Sequence, residues 1–279
     1  MNDYLSFYEK SMSTLEGFEP FLSFLFLGLG RLLPIIALSP FLGARVLPHP
    51  VKMVFAFMLF VIFLPAMAKN LHSIPMFTPW LILLMVKEVF IGFSIGLIIS
   101  VPFIIVQNVG MLIDHQRGGA SLLVNDPTIQ NQSSPIGTLY NMILIVLFFA
   151  VDGPFYLFNA IIESYDIIPP DALFNAAFFA KDTPFWKIQI ELFNKLMVIT
   201  VQLGAPALIV ILMTDMFLGI ANRLAPQVQI TFLGLPLKSL LALLVISLGF
   251  KLYNQQTIIE TMRFIELLTE SIHSMGIGK

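Results

Sequence analysis

The chain has 279 residues and a formal net charge of −2; 57% of its residues are hydrophobic, only 11% are charged, and the mean hydropathy is +0.88. A soluble domain of this size carries about 25% charged residues, so the composition specifies a polytopic membrane protein. The near-neutral balance gives no basis for nucleic acid or an anionic lipid surface as partner, and the lack of cysteine excludes disulfides and thiolate metal sites.

Residues 1–20 form a polar N-terminus with Asp3, Glu9, Glu16 and Glu19. A signal peptide opens with a basic segment, so the first apolar segment, 21–42, is expected to be retained, and it is long enough to span a bilayer. Arg31 lies inside it, one turn before Pro34. Two readings stay open: an Arg near a helix end that reaches the interface, or an inward charge paired within a complex. The connection 43–50 holds Arg45, His49 and two prolines; His49 has no second ligand at metal-binding spacing. The second segment, 51–68, is flanked by Lys52 and Lys69. A loop follows at 69–79.

The third segment, 80–113, is too long for one simple span. It carries Lys87-Glu88, adjacent residues that point to different sides of a helix, and Gly92-x-x-x-Gly96, a spacing that permits close helix approach. Residues 114–135 are polar, with Gly118-Gly119 and the turn signal Asp126-Pro127. A catalytic reading of this loop would pair His115 with Asp114 or Asp126 and use Ser121, Ser133 or Ser134 as nucleophile. The loop has no Gly-x-Ser-x-Gly elbow. The fourth segment, 136–151, is broken by Asp152-Gly153-Pro154. Residues 155–188 are mixed and suit short amphipathic or re-entrant helices.

The fifth segment, 188–213, carries Glu191 and Lys195 at a favourable i, i+4 spacing; Gln202, Gly204 and Pro206 make its middle polar or bent. The stretch 206–239 is the most informative. Asp215 and Arg223 lie two helical turns apart, share a face and do not touch, so each pairs elsewhere or lines a wet surface. An ionisable group at membrane depth costs a few kcal/mol or more unless it is paired or hydrated. Pro226 is expected to end the helix, and Gly234 and Pro236 to break the sixth segment, 228–250. Such breaks are tolerated at membrane depth only inside protein or facing water, which predicts an assembly interface or channel wall here. In the tail, 251–279, Ile258, Met262, Ile265, Leu268 and Ile272 recur at helical spacing against Glu260, Arg263, Glu266 and Glu270. That is an amphipathic helix for a surface or a partner.

Three stretches carry a resemblance. Arg223-Leu-Ala-Pro226-Gln227, with Asp215 before it and Pro236-Leu-Lys238-Ser239 after it, resembles the FliR/SctT family (also SpaR, YscT and HrcT) of the flagellar and type III secretion export apparatus. The loop 114–135 matches the family's ordered set through Asp114, Gln116, Arg117, Gly118, Asp126, Pro127, Gln132 and Ser133-Ser134-Pro135. Arg31, the Pro/Gly connection and Lys52 match the N-terminal pattern, and Glu88 falls where the family carries a Glu before a Gly-rich helix. Gly119 and His115 are additions within the loop motif.

The resemblance implies an all-α membrane protein with about six hydrophobic, partly broken helical segments and a C-terminal amphipathic helix. It implies one polytopic domain over 1–279, in the bacterial inner membrane, built into a helical export-gate assembly. The implied partners are the P/R-type and Q/S-type membrane subunits, the U/B-type switch protein and unfolded protein substrates. No chemistry, cofactor or metal is implied. Arg31, Glu88, Asp114, Arg117, Asp215, Arg223 and Lys238 would form intersubunit or intramolecular pairs. Gln116, Gly118, Asp126 and Pro127 would lie near the pore or a neighbouring subunit, with Pro226 and Gln227 in the second motif. Asp215 and Ser133-Ser134-Pro135 lean toward the injectisome branch. The alternative is a stand-alone secondary transporter of a small solute, which suits helices broken by Pro and Gly with midplane charges but for which no internal repeat is present. A membrane-embedded enzyme lacks support, since there is no His-Glu-x-x-His, phosphate loop or Cys nucleophile.

Overall fold

In the computed structural model the described residues are 18–43, 47–69, 71, 79–118, 134–174, 176–179, 183–224 and 230–276. Their regular structure is helical: α1 (Phe18–Leu38), α2 (His49–Ala68), α3 (Pro79–Gln116), α4 (Pro135–Ala150), α5 (Gly153–Ile167), α6 (Pro184–Leu224) and α7 (Ile230–Met275), with short 3₁₀ turns at Pro40–Leu42 and Ala176–Phe179. Among the described residues five helices are long and apolar enough to cross a membrane, and a sixth span arises if α4 and α5 count as one broken crossing.

Helix ends follow local chemistry. Proline, whose missing N–H costs nothing in the first turn, opens α3 at Pro79 and α4 at Pro135. Gly118 takes a left-handed φ of 87° just past α3, the conformation that closes a helix and that glycine adopts without a Cβ penalty. Between α4 and α5, Asp152 is left-handed at φ 59°, so the break falls at the Asp-Gly-Pro triplet.

Prolines inside the long helices behave differently from the sequence expectation. Pro236 does not break the sixth segment: α7 runs through it for 46 residues and absorbs the amphipathic tail into one helix. Likewise α6 runs through Pro206 for 41 residues, and α3 runs through Pro102 for 38. A proline removes one ladder hydrogen bond, and the flanking bonds of a long helix hold the axis. At 1.5 Å per residue these helices measure roughly 57–69 Å, about twice the hydrocarbon thickness of a bilayer, so none is a simple perpendicular span.

The chain forms two compact units: residues 1–100, 152–192 and 263–279, and residues 101–151 and 193–262. In the first, α1 packs on α2 with Phe24 edge-on to Phe60 at 6.1 Å. The Gly92 and Gly96 face of α3 lies directly on α1: a Cβ at Gly92 would overlap the Arg31 carbonyl, and one at Gly96 would stand 3.1 Å from the Ile35 Cα. The Gly-x-x-x-Gly spacing is therefore a true helix-packing face. Phe90 is ringed by Phe174, Phe178, Phe185 and Trp186 at 5.8–6.2 Å between centroids. The end of α7 docks in the same unit, with Leu268 and Ile272 buried and His273 Nε2 2.8 Å from Glu163 Oε1. The amphipathic tail thus covers its own chain.

In the second unit α3 and α4 cross where Gly110 meets the backbone of Ile136 and Gly137, too close for any side chain. Phe103 packs edge-on to Phe148 at 5.5 Å, and Tyr140 stacks on Tyr253 at 4.3 Å. The helices differ in how much the chain itself covers them: 72% of the most apolar window of α3 is buried, against 6% for α7. Helix α3 is the more buried of the two, and the most apolar stretch of α7 faces outward.

Because the α1–α3 crossing has no room for a methyl group, Gly92→Ala is expected to cost about 1–3 kcal/mol through overpacking. Thermal unfolding in detergent checks it; an unchanged midpoint would mean that the crossing is looser than described.

Candidate functional site: two buried ion networks

The first network is built on α1, α3 and α5. Arg31 and Glu88 are both 0% exposed. The guanidinium donates from Nε to Glu88 Oε2 at 2.6 Å and from Nη2 to Oε1 at 3.0 Å. This two-pronged geometry matches a planar fork to a carboxylate and is among the strongest charged hydrogen-bond arrangements. The remaining donors reach α5 and the segment after it: Nη1 to Ser164 Oγ at 2.9 Å and Nη2 to the Ile168 carbonyl at 2.9 Å. The Tyr165 ring lies under the guanidinium at 4.0 Å, a cation–π contact.

Lys87 joins the same carboxylate, with Nζ 2.7 Å from Glu88 Oε1. The expectation that neighbouring residues face apart on a helix is overturned here. Their Cβ atoms diverge, but the four-carbon Lys stem is long enough to turn back over Glu88. Lys87 Nζ also donates to the carbonyls of Pro169, Pro170 and Ala172 at 2.8, 3.2 and 2.8 Å. Carbonyls beyond a helix C-terminus have no intrahelical partner and carry partial negative charge. One carboxylate and five carbonyl or hydroxyl oxygens therefore hold two buried cations. Arg31 is sealed inside protein rather than reaching an interface.

The second network closes the C-terminal end of α3. Asp114, 1% exposed, accepts from Arg117 Nε at 2.7 Å and forms an ion pair with its Nη2 at 2.6 Å. Its other oxygen accepts from Ser134 Oγ and, at 3.1 Å, from the backbone N–H of Ile136. Ser134 also accepts from the Gly137 N–H at 2.9 Å and caps α4. Asp114 thus sits at the positive end of α4, where a carboxylate is stabilised. Arg117 Nη1 continues to Ser239 Oγ on α7 at 2.9 Å, and the neighbouring Lys238 pairs with Asp215 of α6. Gly118 lies against the Leu235 side chain.

Of the other positions singled out in sequence, Gln116 is exposed in the last turn of α3 and Arg223 in the last turn of α6. Asp126, Pro127, Pro226 and Gln227 lie outside the described residues. Ser164, Tyr165 and the carbonyls of 168–172 were not singled out. The Pro169-Pro170 pair was visible, but nothing local links it to a cation on α3. A Gly-x-Ser-x-Gly string does occur at Gly92–Gly96, yet it lies in mid-helix, and Ser94 Oγ donates to the Phe90 carbonyl at 2.9 Å. It has no strand-to-helix turn and is no nucleophile elbow. Ser134, the other serine of interest, is occupied as a cap.

The fold and these two networks define a class: a helical membrane protein with several apolar helices, whose buried ion networks are neutralised within the chain. A sequence profile described as bacterial export proteins, family 1, matches residues 22–262. The chain belongs to this family. It is 32% identical over 240 residues to the secretion system apparatus protein SsaT of Salmonella typhimurium, covering 85% of this chain and 88% of that protein. It is 31% identical over 184 residues to the Yop proteins translocation protein T of Yersinia pestis, covering 65% and 68%. It is 27% identical over 226 residues to the flagellar biosynthetic protein FliR of Escherichia coli, covering 80% and 83%. The relatives are type III secretion and flagellar export components, and none of these names is that of an enzyme. With its apolar helices, the chain is a multi-pass protein of the bacterial inner membrane.

Removing one partner of a buried ion pair strands the other charge. Glu88→Gln is expected to cost about 3–5 kcal/mol, read as loss of folded protein in detergent; retention of the wild-type melting point would show that the cluster is not closed. Ser134→Ala removes a helix cap and an Asp114 partner, and should cost about 1–2 kcal/mol in the same assay.

Proposed function

We propose that this chain is a subunit of a type III secretion export gate, a single polytopic domain over 1–279 that builds an inner-membrane pore for unfolded proteins with P/R-type and Q/S-type subunits, beside the U/B-type switch protein. The observation that carries this reading is the match to SsaT across 85% of the chain. The structure supports it physically. The most apolar stretch of α7, of which its own chain buries only 6%, is suited to packing in a larger assembly. The injectisome branch is favoured over the flagellar one by Asp215, by Ser133-Ser134-Pro135, and by the higher identity to SsaT than to FliR.

In this role the chain does no bond chemistry. Its ion networks hold the long helices at fixed register so that a narrow passage keeps its shape while substrates move through. Exposed Arg223 is a candidate contact to a neighbouring subunit.

Native mass spectrometry of the tagged chain, co-expressed with the P/R-type and Q/S-type proteins, is expected to give one discrete hetero-complex holding one tagged copy. Arg223→Glu should reduce that complex and secretion together by about tenfold or more, the size of one lost charged contact. A stable monomer or homodimer that ignores those partners would overturn the reading.

A further inference from the structure

We propose that a cavity walled by α3, α4, α6 and α7 holds one acyl chain of a membrane glycerolipid, with the ester group of the lipid at the Tyr253 end. The inference goes beyond the export-gate reading and does not depend on it. It needs only that these helices lie in a membrane.

The cavity has a volume of about 500 Å³, and every wall residue belongs to the second unit. Pockets for small apolar ligands run from about 300 to 1,000 Å³. Its walls change character along α7. Equal steps from the Asp215–Lys238 ion pair bring Ala207 of α6 level with Ile246 of α7, and Gln202 level with Lys251. The wall is therefore apolar around Ala207, Val245 and Ile246, and polar around Gln202, Tyr253 and Gln256. At the polar end the Tyr253 ring stacks on Tyr140. The Tyr253 hydroxyl is buried and has no hydrogen-bond partner among the described residues.

That gradient selects the occupant. At this level α7 passes from the apolar run 240–250 to Lys251, Asn254, Gln255 and Gln256, the change of composition that marks the edge of the hydrocarbon layer. Water suits only the polar end, because a buried water needs several polar partners. An unfilled cavity would forfeit dispersion contacts along all its walls. A glycerolipid has the matching order at the matching depth, with hydrocarbon toward the interior of the layer and ester carbonyls at its edge. Such a carbonyl accepts the hydrogen bond that the Tyr253 hydroxyl has to give, and the Gln202 amide is a second donor. Leu248 and Leu252 line the cavity yet are 79% and 71% exposed, so its open side is one that an acyl chain enters from the bilayer.

The test is photolabelling of the full chain in vesicles of phosphatidylethanolamine and phosphatidylglycerol that carry a trace of phosphatidylcholine with a diazirine in mid-chain. Peptide mass spectrometry maps the labelled residues. Half-buried Leu203, Val245 and Ile246 should be labelled at least as heavily as Val54 and Ile62 of α2, each 62% exposed. Labelling in simple proportion to exposure would overturn the proposal and mean that protein, not lipid, fills the cavity. Gly249→Phe places a ring in the cavity, since a Cβ on Gly249 meets no described atom within 4 Å. With the ring in the place of the acyl chain, labelling at Leu203 and Val245 should fall about fivefold or more, with Ile62 and the melting point in detergent unchanged. Undiminished labelling in the folded variant would sink the idea. Should Gly249→Phe unfold the chain, Tyr253→Phe decides, because it keeps the stacked ring. It should lower labelling about threefold, the weight of one neutral hydrogen bond, and full labelling would count against the ester contact and overturn the proposal. In the complex with P/R-type and Q/S-type subunits the same labels should persist. Their loss there would assign the cavity to a neighbouring subunit and overturn lipid as its resident.

Discussion

Two cations and one carboxylate buried in an apolar fold are the constraint that organises the first unit. Stripping water from an ion of this size costs several kcal/mol even after relaxation. Arg31, Lys87 and Glu88 can be buried only where enough oxygens converge. One carboxylate is too few for two cations. The balance comes from Ser164 and the carbonyls of Ile168, Pro169, Pro170 and Ala172. The end of α5 must therefore stop where it does, and α1 must lie against α3 closely enough for a bidentate fork. Gly92 and Gly96 make that distance possible, because any larger residue would push Arg31 away from Glu88.

The second unit solves a related problem with helix ends. The carboxylate of Asp114 is shared among an arginine, a serine and the Ile136 N–H in the first turn of α4. Arg117 then passes the link to α7 through Ser239. Each residue satisfies a neighbour that would otherwise be a buried orphan. In a hydrocarbon surrounding, where water cannot repair a lost bond, such sharing fixes helix register more sharply than apolar packing alone.

These features suit a component whose work is to keep a shape. Apolar packing is forgiving of small slides, since Leu, Phe and Met surfaces re-pack at modest cost. Bidentate ion pairs and capped helix ends are not forgiving, because their energy falls steeply with distance and angle. The outward faces of α6 and α7 are the reverse: apolar, broad and left uncovered by this chain, which is what an assembly surface requires.

Much of the class was legible in sequence. Composition alone specified a polytopic membrane chain, hydropathy placed the apolar segments, and the Asp152-Gly153-Pro154 triplet located a real break, because φ preferences act locally. The ordered polar residues at 114–135 and 206–239 pointed to the family. Continuity of the long helices was not legible: Pro236 read as a break and Pro206 as a polar or bent midpoint, yet ladders of about 40 residues absorb a single lost hydrogen bond. Nor was the pairing. Arg31 and Ser164 stand 133 positions apart, and Lys87 meets Glu88 only because a flexible stem can double back. Periodicity reports which face of a helix is apolar; which helix that face meets, and which oxygens close around a buried charge, is decided by the packing of the whole chain.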